Sequence, residues 1–141
     1  MTDRILVTGG AGYIGSHTCV ALAKAGVAFT ILDNLSNANQ GMLDRLAHII
    51  GFQPDFVEGD VRDVAGMDLR GIDAIIHLSS VANDPCGDLN PKLTWEVSAL
   101  ATMQLADRAL RHGVKRFIYA SSGSVYGIKE EEKVAEELPL K

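Results

Sequence analysis

Residues 6–18 read LVTGGAGYIGSHT, which places Gly9, Gly10, Gly12 and Gly15 within seven positions directly after an apolar run. Glycine inside an ordered element costs about 0.5–1 kcal/mol relative to alanine, so bare backbone must serve a purpose there. Between a first strand and its helix, this spacing fits the pyrophosphate of a dinucleotide. Gly9 permits the tight turn, Gly12 lets backbone N–H groups approach the phosphates, and Gly15 lets the helix pack close to the strand. The phosphates would sit on the helix N-terminus, where free N–H groups and the helix dipole favour negative charge. The stretch also reads G-x-G-x-x-G from Gly10, so the register alone names no subfamily. A glycine-rich turn without a ligand is the plain alternative, and the strand-turn-helix context argues against it.

Asp33 ends a second apolar run, 18 residues after Gly15. A carboxylate there accepts both ribose hydroxyls of an adenosine and repels a 2′-phosphate, which favours NAD over NADP. The alternative role for Asp33 is to cap the turn that follows. Asp60 closes a third apolar run, where a side chain reaches the adenine, although Gly-Asp is also a common turn. His77 reads as a satisfied core histidine rather than a base. His17, His48 and His112 show no metal-ligand clustering. The two cysteines, Cys19 and Cys86, make no disulfide framework. Cys19 falls in a helical pattern and reads as a small buried apolar group, and Cys86 falls in a loop.

The elements that must position these residues follow from periodicity. RILVT (4–8) is a short apolar run bounded by glycine and reads as a buried strand. Residues 13–25 read as a helix through Ile14, Cys19, Leu22 and Ala23, stopped by Gly26. AFTILD (28–33), DFVEGD (55–60), DAIIHL (73–78) and VKRFIYAS (114–121) supply four further strands, and residues 39–50 a second helix. Asn90 and Pro91 start a third helix, since proline suits the first turn. Its apolar stripe runs through Leu93, Val97, Leu100, Leu105 and Ala109 and stops near Gly113. Strands alternating with helices imply a parallel sheet covered on both faces. Right-handed crossovers then give a Rossmann-like, doubly wound α/β sheet of about five strands in the order 3-2-1-4-5.

Composition excludes several classes of function. The 141 residues are 47% hydrophobic and 22% charged, with a net charge of -5 and no basic stripe, which argues against a nucleic-acid partner. No apolar run reaches the roughly 18 residues of a membrane span. The start, MTDRILVTGG, lacks a secretory layout, so the expected compartment is the cytoplasm. Residues 1–127 are expected to form a partial NAD-binding domain. Residues 128–141 are expected to form an acidic tail or loop.

With TGGAGYIGSH, LDNLSN, EGDVRD, IIHLSS and SSGSVYG in this order, the chain resembles the extended short-chain dehydrogenase/reductase family. Within it, the match is to the NAD-dependent epimerases and dehydratases of nucleotide sugars. Residues 1–63 are most similar to UDP-glucose 4-epimerases, and SSVANDPCGDLNPKLTWEV to the wider group of sugar-nucleotide epimerases. Carried over by position, the resemblance implies that Gly9, Gly12, Tyr13 and Ile14 hold the pyrophosphate, with Gly15 in the same cofactor-binding turn. It implies that Asp33, Asn34, Ser36 and Asn37 hold the adenosine ribose and its surroundings, and that Asp60 and Val61 flank adenine. Leu78, Ser79 and Ser80 would line the path to the nicotinamide. Ser122 matches the family serine that hydrogen-bonds the reacting sugar hydroxyl, with Ser121 and Tyr126 shaping the pocket.

Three departures qualify the resemblance. A typical UDP-glucose 4-epimerase has a lysine near Ala82. The family usually has Asn-Val-x-Gly-Thr in the fourth helix, where this chain has SALAT, so Ser98 stands in place of asparagine. Serine reaches less far and bonds fewer groups. The family's catalytic Tyr-x-x-x-Lys is also missing, because Tyr13, Tyr119 and Tyr126 are followed four residues later by His17, Gly123 and Glu130. In the family that lysine lowers the tyrosine pKa, and loss of a general base costs about 10²–10⁴-fold. The expectation is therefore the NAD-binding part of an epimerase or dehydratase, inactive as this chain. The alternative is a stand-alone dinucleotide-binding module or sensor without chemistry. A homo-oligomer formed through the fifth strand, the 91–112 helix or an exchanged element is also expected.

Overall fold

The computed structural model describes residues 4–36, 38–80, 89–122, 126–127 and 135–139, apart from the side chain of Val64. Asn37, Ala82, Cys86 and residues 128–134 of the acidic segment lie outside the described residues. Five strands form one parallel sheet: β1 (Arg4–Thr8), β2 (Ala28–Asp33), β3 (Asp55–Glu58), β4 (Ala74–His77) and β5 (Arg116–Tyr119). Their order is β3-β2-β1-β4-β5, as the crossover rule requires.

Two helices follow the first two strands, α1 (Tyr13–Lys24) and α2 (Gln40–Ile50). Asn39 caps α2, its side chain accepting from the Met42 N–H. Between β3 and β4 there is only a single 3-10 turn, Val64–Gly66. The third helical stretch begins at α3 (Pro91–Thr94), where the Asn90 side chain accepts from the Leu93 N–H and proline occupies the first turn. It continues without a break through a π-helical segment (Trp95–Leu100) into α4 (Ala101–Arg111).

The alternation of strand side chains divides the core in two. Leu6, Leu32 and Ile75 point to one face and meet Ala101, Leu105 and Ala109 of α4. Val7, Phe29 and Ile31 point to the other and meet Cys19 of α1 and Leu43 and Leu46 of α2. The π segment alters the apolar stripe of the long helix. Leu100 is 37% exposed, and the fully buried position is Ala101. A π-helix bonds i→i+5 and widens its turn, so the stripe steps by four from half-buried Val97 to Ala101, and Leu105 and Ala109 follow at ordinary α-helical spacing. At the amino edge of the sheet, Arg4 Nη1 donates to Phe29 O, Thr30 Oγ1 and Asp55 Oδ2, which joins the first three strands.

Candidate functional site

The carboxyl ends of the strands converge where the order reverses between β1 and β4. Crevices of this kind are where open α/β sheets bind ligands. The turn after β1 carries Gly9 at φ 71°, in the left-handed region that glycine reaches without strain. A Cβ on Gly9 would lie 3.0 Å from both Leu78 C and Ser79 N. Bare backbone at Gly9 therefore lets the β1 turn rest directly on the loop after β4. Gly15 is buried in the first turn of α1, and a Cβ there would drive into the Gly9 carbonyl oxygen and come within 2.7 Å of Gly10 Cα. Helix and turn can touch only without that carbon.

A cleft of about 490 Å³ opens at this junction. Gly9 and Gly12 line it from the turn, and Asp33, Asn34 and Ser36 from the end of β2. Asp60 and Val61 line it beyond β3, and Leu78, Ser79 and Ser80 beyond β4. These are residues the sequence reading assigned to a cofactor. Tyr13 and Ile14 do not line the cleft and are 77% and 65% exposed on the first turn of α1. Ser121 and Ser122 follow β5, are exposed, and are not among the residues that line the cleft.

Arg62, Leu89, Asn90, Leu93 and Val97 also line the cleft and were not assigned to a site from the sequence. The helical stripe through Leu93 and Val97 was legible, but nothing local showed that it faces this crevice.

Asp33 caps the turn that follows it, one of the two roles considered for it from sequence, and also makes a contact that was not foreseen. Its Oδ1 accepts from the Leu35 N–H at 2.8 Å, which caps the turn and supports Leu35 at φ 58°. Its Oδ2 accepts from the Ala11 N–H at 3.1 Å, which ties the glycine turn to the end of β2. A carboxylate has about four acceptor sites, so two N–H groups leave capacity for a ribose hydroxyl. Asp60 is held differently. Arg62 forks onto it, with Nε 3.0 Å from Oδ1 and Nη2 2.6 Å from Oδ2, and Asn34 Nδ2 reaches Oδ2 at 3.4 Å. The guanidinium is the main reason that the Asp60 carboxyl drops to about 2. Val61 is buried and belongs to the core cluster as well as to the lining of the cleft.

Among the described residues, Arg62 is the one cation lining this cleft, and it is engaged by Asp60 and Glu96. An anionic ligand must therefore rely on backbone N–H groups and the dipole of α1. The N-cap of α1 is Gly12, which supplies no side-chain hydrogen bond, and the first-turn N–H groups of a helix have no partner within it. A Cβ at Gly12 would meet only Gly9 O, at 3.3 Å, and would fill the space in front of that turn. These features fit a pyrophosphate. Among the described residues, no cluster of His, Cys, Asp or Glu could hold a metal ion, and no helix is long and apolar enough to cross a membrane.

Known proteins share this architecture. UDP-glucose 4-epimerase of Bacillus subtilis (strain 168) is 37% identical over 140 residues, 96% of this chain and 41% of that protein. UDP-glucose 4-epimerase of Klebsiella pneumoniae is 38% identical over 128 residues, 88% of this chain and 92% of that sequence. The crystal structure of UDP-glucose 4-epimerase from Bifidobacterium longum in complex with NAD+ and UDP superimposes with a TM-score of 0.89 at 32% identity. The match covers 99% of this chain and 43% of that one. This chain thus spans about two-fifths of the Bacillus and Bifidobacterium proteins. The family model described as the NAD dependent epimerase/dehydratase family matches residues 5–141. The chain therefore belongs to the NAD dependent epimerase/dehydratase family.

Proposed function

We propose that these residues are the NAD-binding portion of a nucleotide-sugar epimerase of the UDP-glucose 4-epimerase type. The observation that carries the reading is the cleft at the strand-order reversal, where Gly9 rests on the Leu78–Ser79 backbone and Asp33 binds the Ala11 N–H. Gly9 and Gly12, with the backbone N–H groups of Tyr13 and Ile14 at the start of α1, hold the pyrophosphate, and Gly15 keeps α1 close to the turn that receives it. Asp33, with Asn34, Ser36 and Asn37, receives the adenosine ribose. Asp60 and Val61 flank adenine, and Leu78, Ser79 and Ser80 border the nicotinamide. Bound NAD supplies a reversible hydride acceptor. Ser122, just beyond β5, takes the reacting sugar hydroxyl in the whole enzyme.

These 141 residues contain no Tyr-x-x-x-Lys. On their own they bind the dinucleotide and do not turn over a UDP-sugar. Calorimetric titration with NAD and NADP tests the binding. The expected result is tighter NAD binding, because the Asp33 carboxylate repels a 2′-phosphate. Equal or tighter NADP binding overturns the Asp33 assignment. Steady epimerisation of UDP-glucose by this chain, abolished by Ser122→Ala, overturns the inactivity.

A further inference from the structure

His77 is 1% exposed at the end of β4, and both ring nitrogens are occupied. The direction of each hydrogen bond can be worked out from one end. Thr8 Oγ1 accepts the Leu78 N–H at 3.1 Å, shared with Thr8 O, and the Ser79 N–H at 3.3 Å. A hydroxyl has two acceptor sites and one hydrogen, so that hydrogen goes to His77 Nδ1, 2.6 Å away. Nδ1 is then the bare nitrogen, and Nε2–H donates to Thr102 Oγ1 at 2.8 Å. The Thr102 hydroxyl donates in turn to the Ser98 carbonyl at 3.1 Å. Only the neutral ring, in this tautomer, satisfies the whole chain. The ring is flanked by Phe117 and Tyr119 of β5, with centroids 5.8 and 5.9 Å away. Burial pushes the imidazole down to about 4, so the neutral form holds at neutral pH.

This chain of bonds joins two walls of the cleft. At one end it grips the Leu78–Ser79 backbone on which Gly9 rests. At the other it ends in the π-helical segment, whose Val97 also lines the cleft. Helices of this kind often mark functional sites. We infer that His77 is a positioning residue of the cleft: through Thr8 and Thr102 it sets the loop after β4 at a fixed distance from the π-helical wall. The ligand group that depends on this spacing is the one beyond the pyrophosphate, the nicotinamide riboside. The adenosine half, held by α1 and Asp33, does not depend on it. The inference rests on the dinucleotide reading of the cleft.

The test compares adenosine monophosphate, which uses only the adenosine half, with NAD. Titration calorimetry is run on the wild-type chain and on His77→Phe, His77→Asn and Thr102→Val, with thermal melts of each. His77→Phe keeps a ring and loses both bonds, and NAD is expected to bind about tenfold more weakly. His77→Asn and Thr102→Val lose the Thr102 link alone, and a loss of about threefold is expected. Adenosine monophosphate affinity should stay within about twofold in every variant that melts cooperatively. Thr102→Val removes a hydroxyl from the rim of the network and provides the decisive measurement if His77→Phe does not fold. Parallel loss of both ligands, or loss of neither, overturns the role of His77. A wild-type chain that binds neither ligand overturns the dinucleotide reading itself.

Discussion

Acidification should destabilise this fold through His77, by an amount that follows from its burial. In the folded chain the ring is 1% exposed and titrates at about 4, against 6.5 for the ordinary imidazole. Above pH 6.5 both folded and unfolded chains carry a neutral ring, and the group contributes its full share of stability. Between pH 6.5 and 4 the unfolded chain binds a proton that the folded chain refuses, so stability falls as the pH falls. The slope approaches about 1.4 kcal/mol per pH unit, and the total lost by pH 4 is roughly 3 kcal/mol. Small domains have only about 5–15 kcal/mol in total.

Structure also explains the refusal. A protonated Nδ1 would point its hydrogen at Thr8 Oγ1, which already accepts the N–H groups of Leu78 and Ser79. Urea unfolding followed by circular dichroism at pH 7.5, 6.5, 5.5 and about 4.5 measures the slope. The wild-type chain is compared with His77→Phe, so that exposed His17, His48 and His112 cancel between the two. Asp60 lies outside the window, since its carboxyl sits at about 2 and its share of stability disappears only as the pH falls from 3.8 through that value. A difference between wild type and variant that stays constant from pH 7.5 to 4.5 would refute the buried, neutral histidine.

Other expectations follow from single contacts. Gly15→Ala forces a carbon into the Gly9 carbonyl, and overpacking of this kind costs about 1–3 kcal/mol, occasionally more. A lowered melting temperature with NAD binding lost is expected, and unchanged values of both would contradict the close approach of α1. Cys19 is fully buried and its thiol is raised to about 12. Alkylation at pH 8, located by mass spectrometry, should therefore spare Cys19 until the chain is unfolded in urea. Ile118 and Tyr119 are 53% and 48% exposed on β5, which pairs with β4 and with no other strand among the described residues. Such an edge recruits other chains. Light scattering should show self-association that Ile118→Lys weakens, and a monomer at high concentration would rule it out.

The sequence by itself determined the sheet, its order and the turn that faces the cleft. The reason is that these features rest on near neighbours. Alternation and apolar runs set the strands, Asn39 and Asn90 cap their own helices, and Gly9 and Gly15 act within one turn. Given strands and helices in alternation, crossover handedness leaves little choice of order. What the tertiary structure decided joins residues far apart in the chain. Asp33 reaches the Ala11 N–H 22 positions away, Thr8 meets His77 across 69 positions, and His77 meets Thr102 across 25. The first exists because β2 pairs beside β1, and the other two because β4 docks on the other side of β1 and the long helix packs over both. The widened π turn that brings Val97 to the cleft and turns Leu100 outward has no local signature, because helical periodicity fits the same residues nearly as well. Side-chain identity made His77 a core residue in either reading, but only its two hydrogen-bond partners, supplied by other elements, gave it a proton of fixed address.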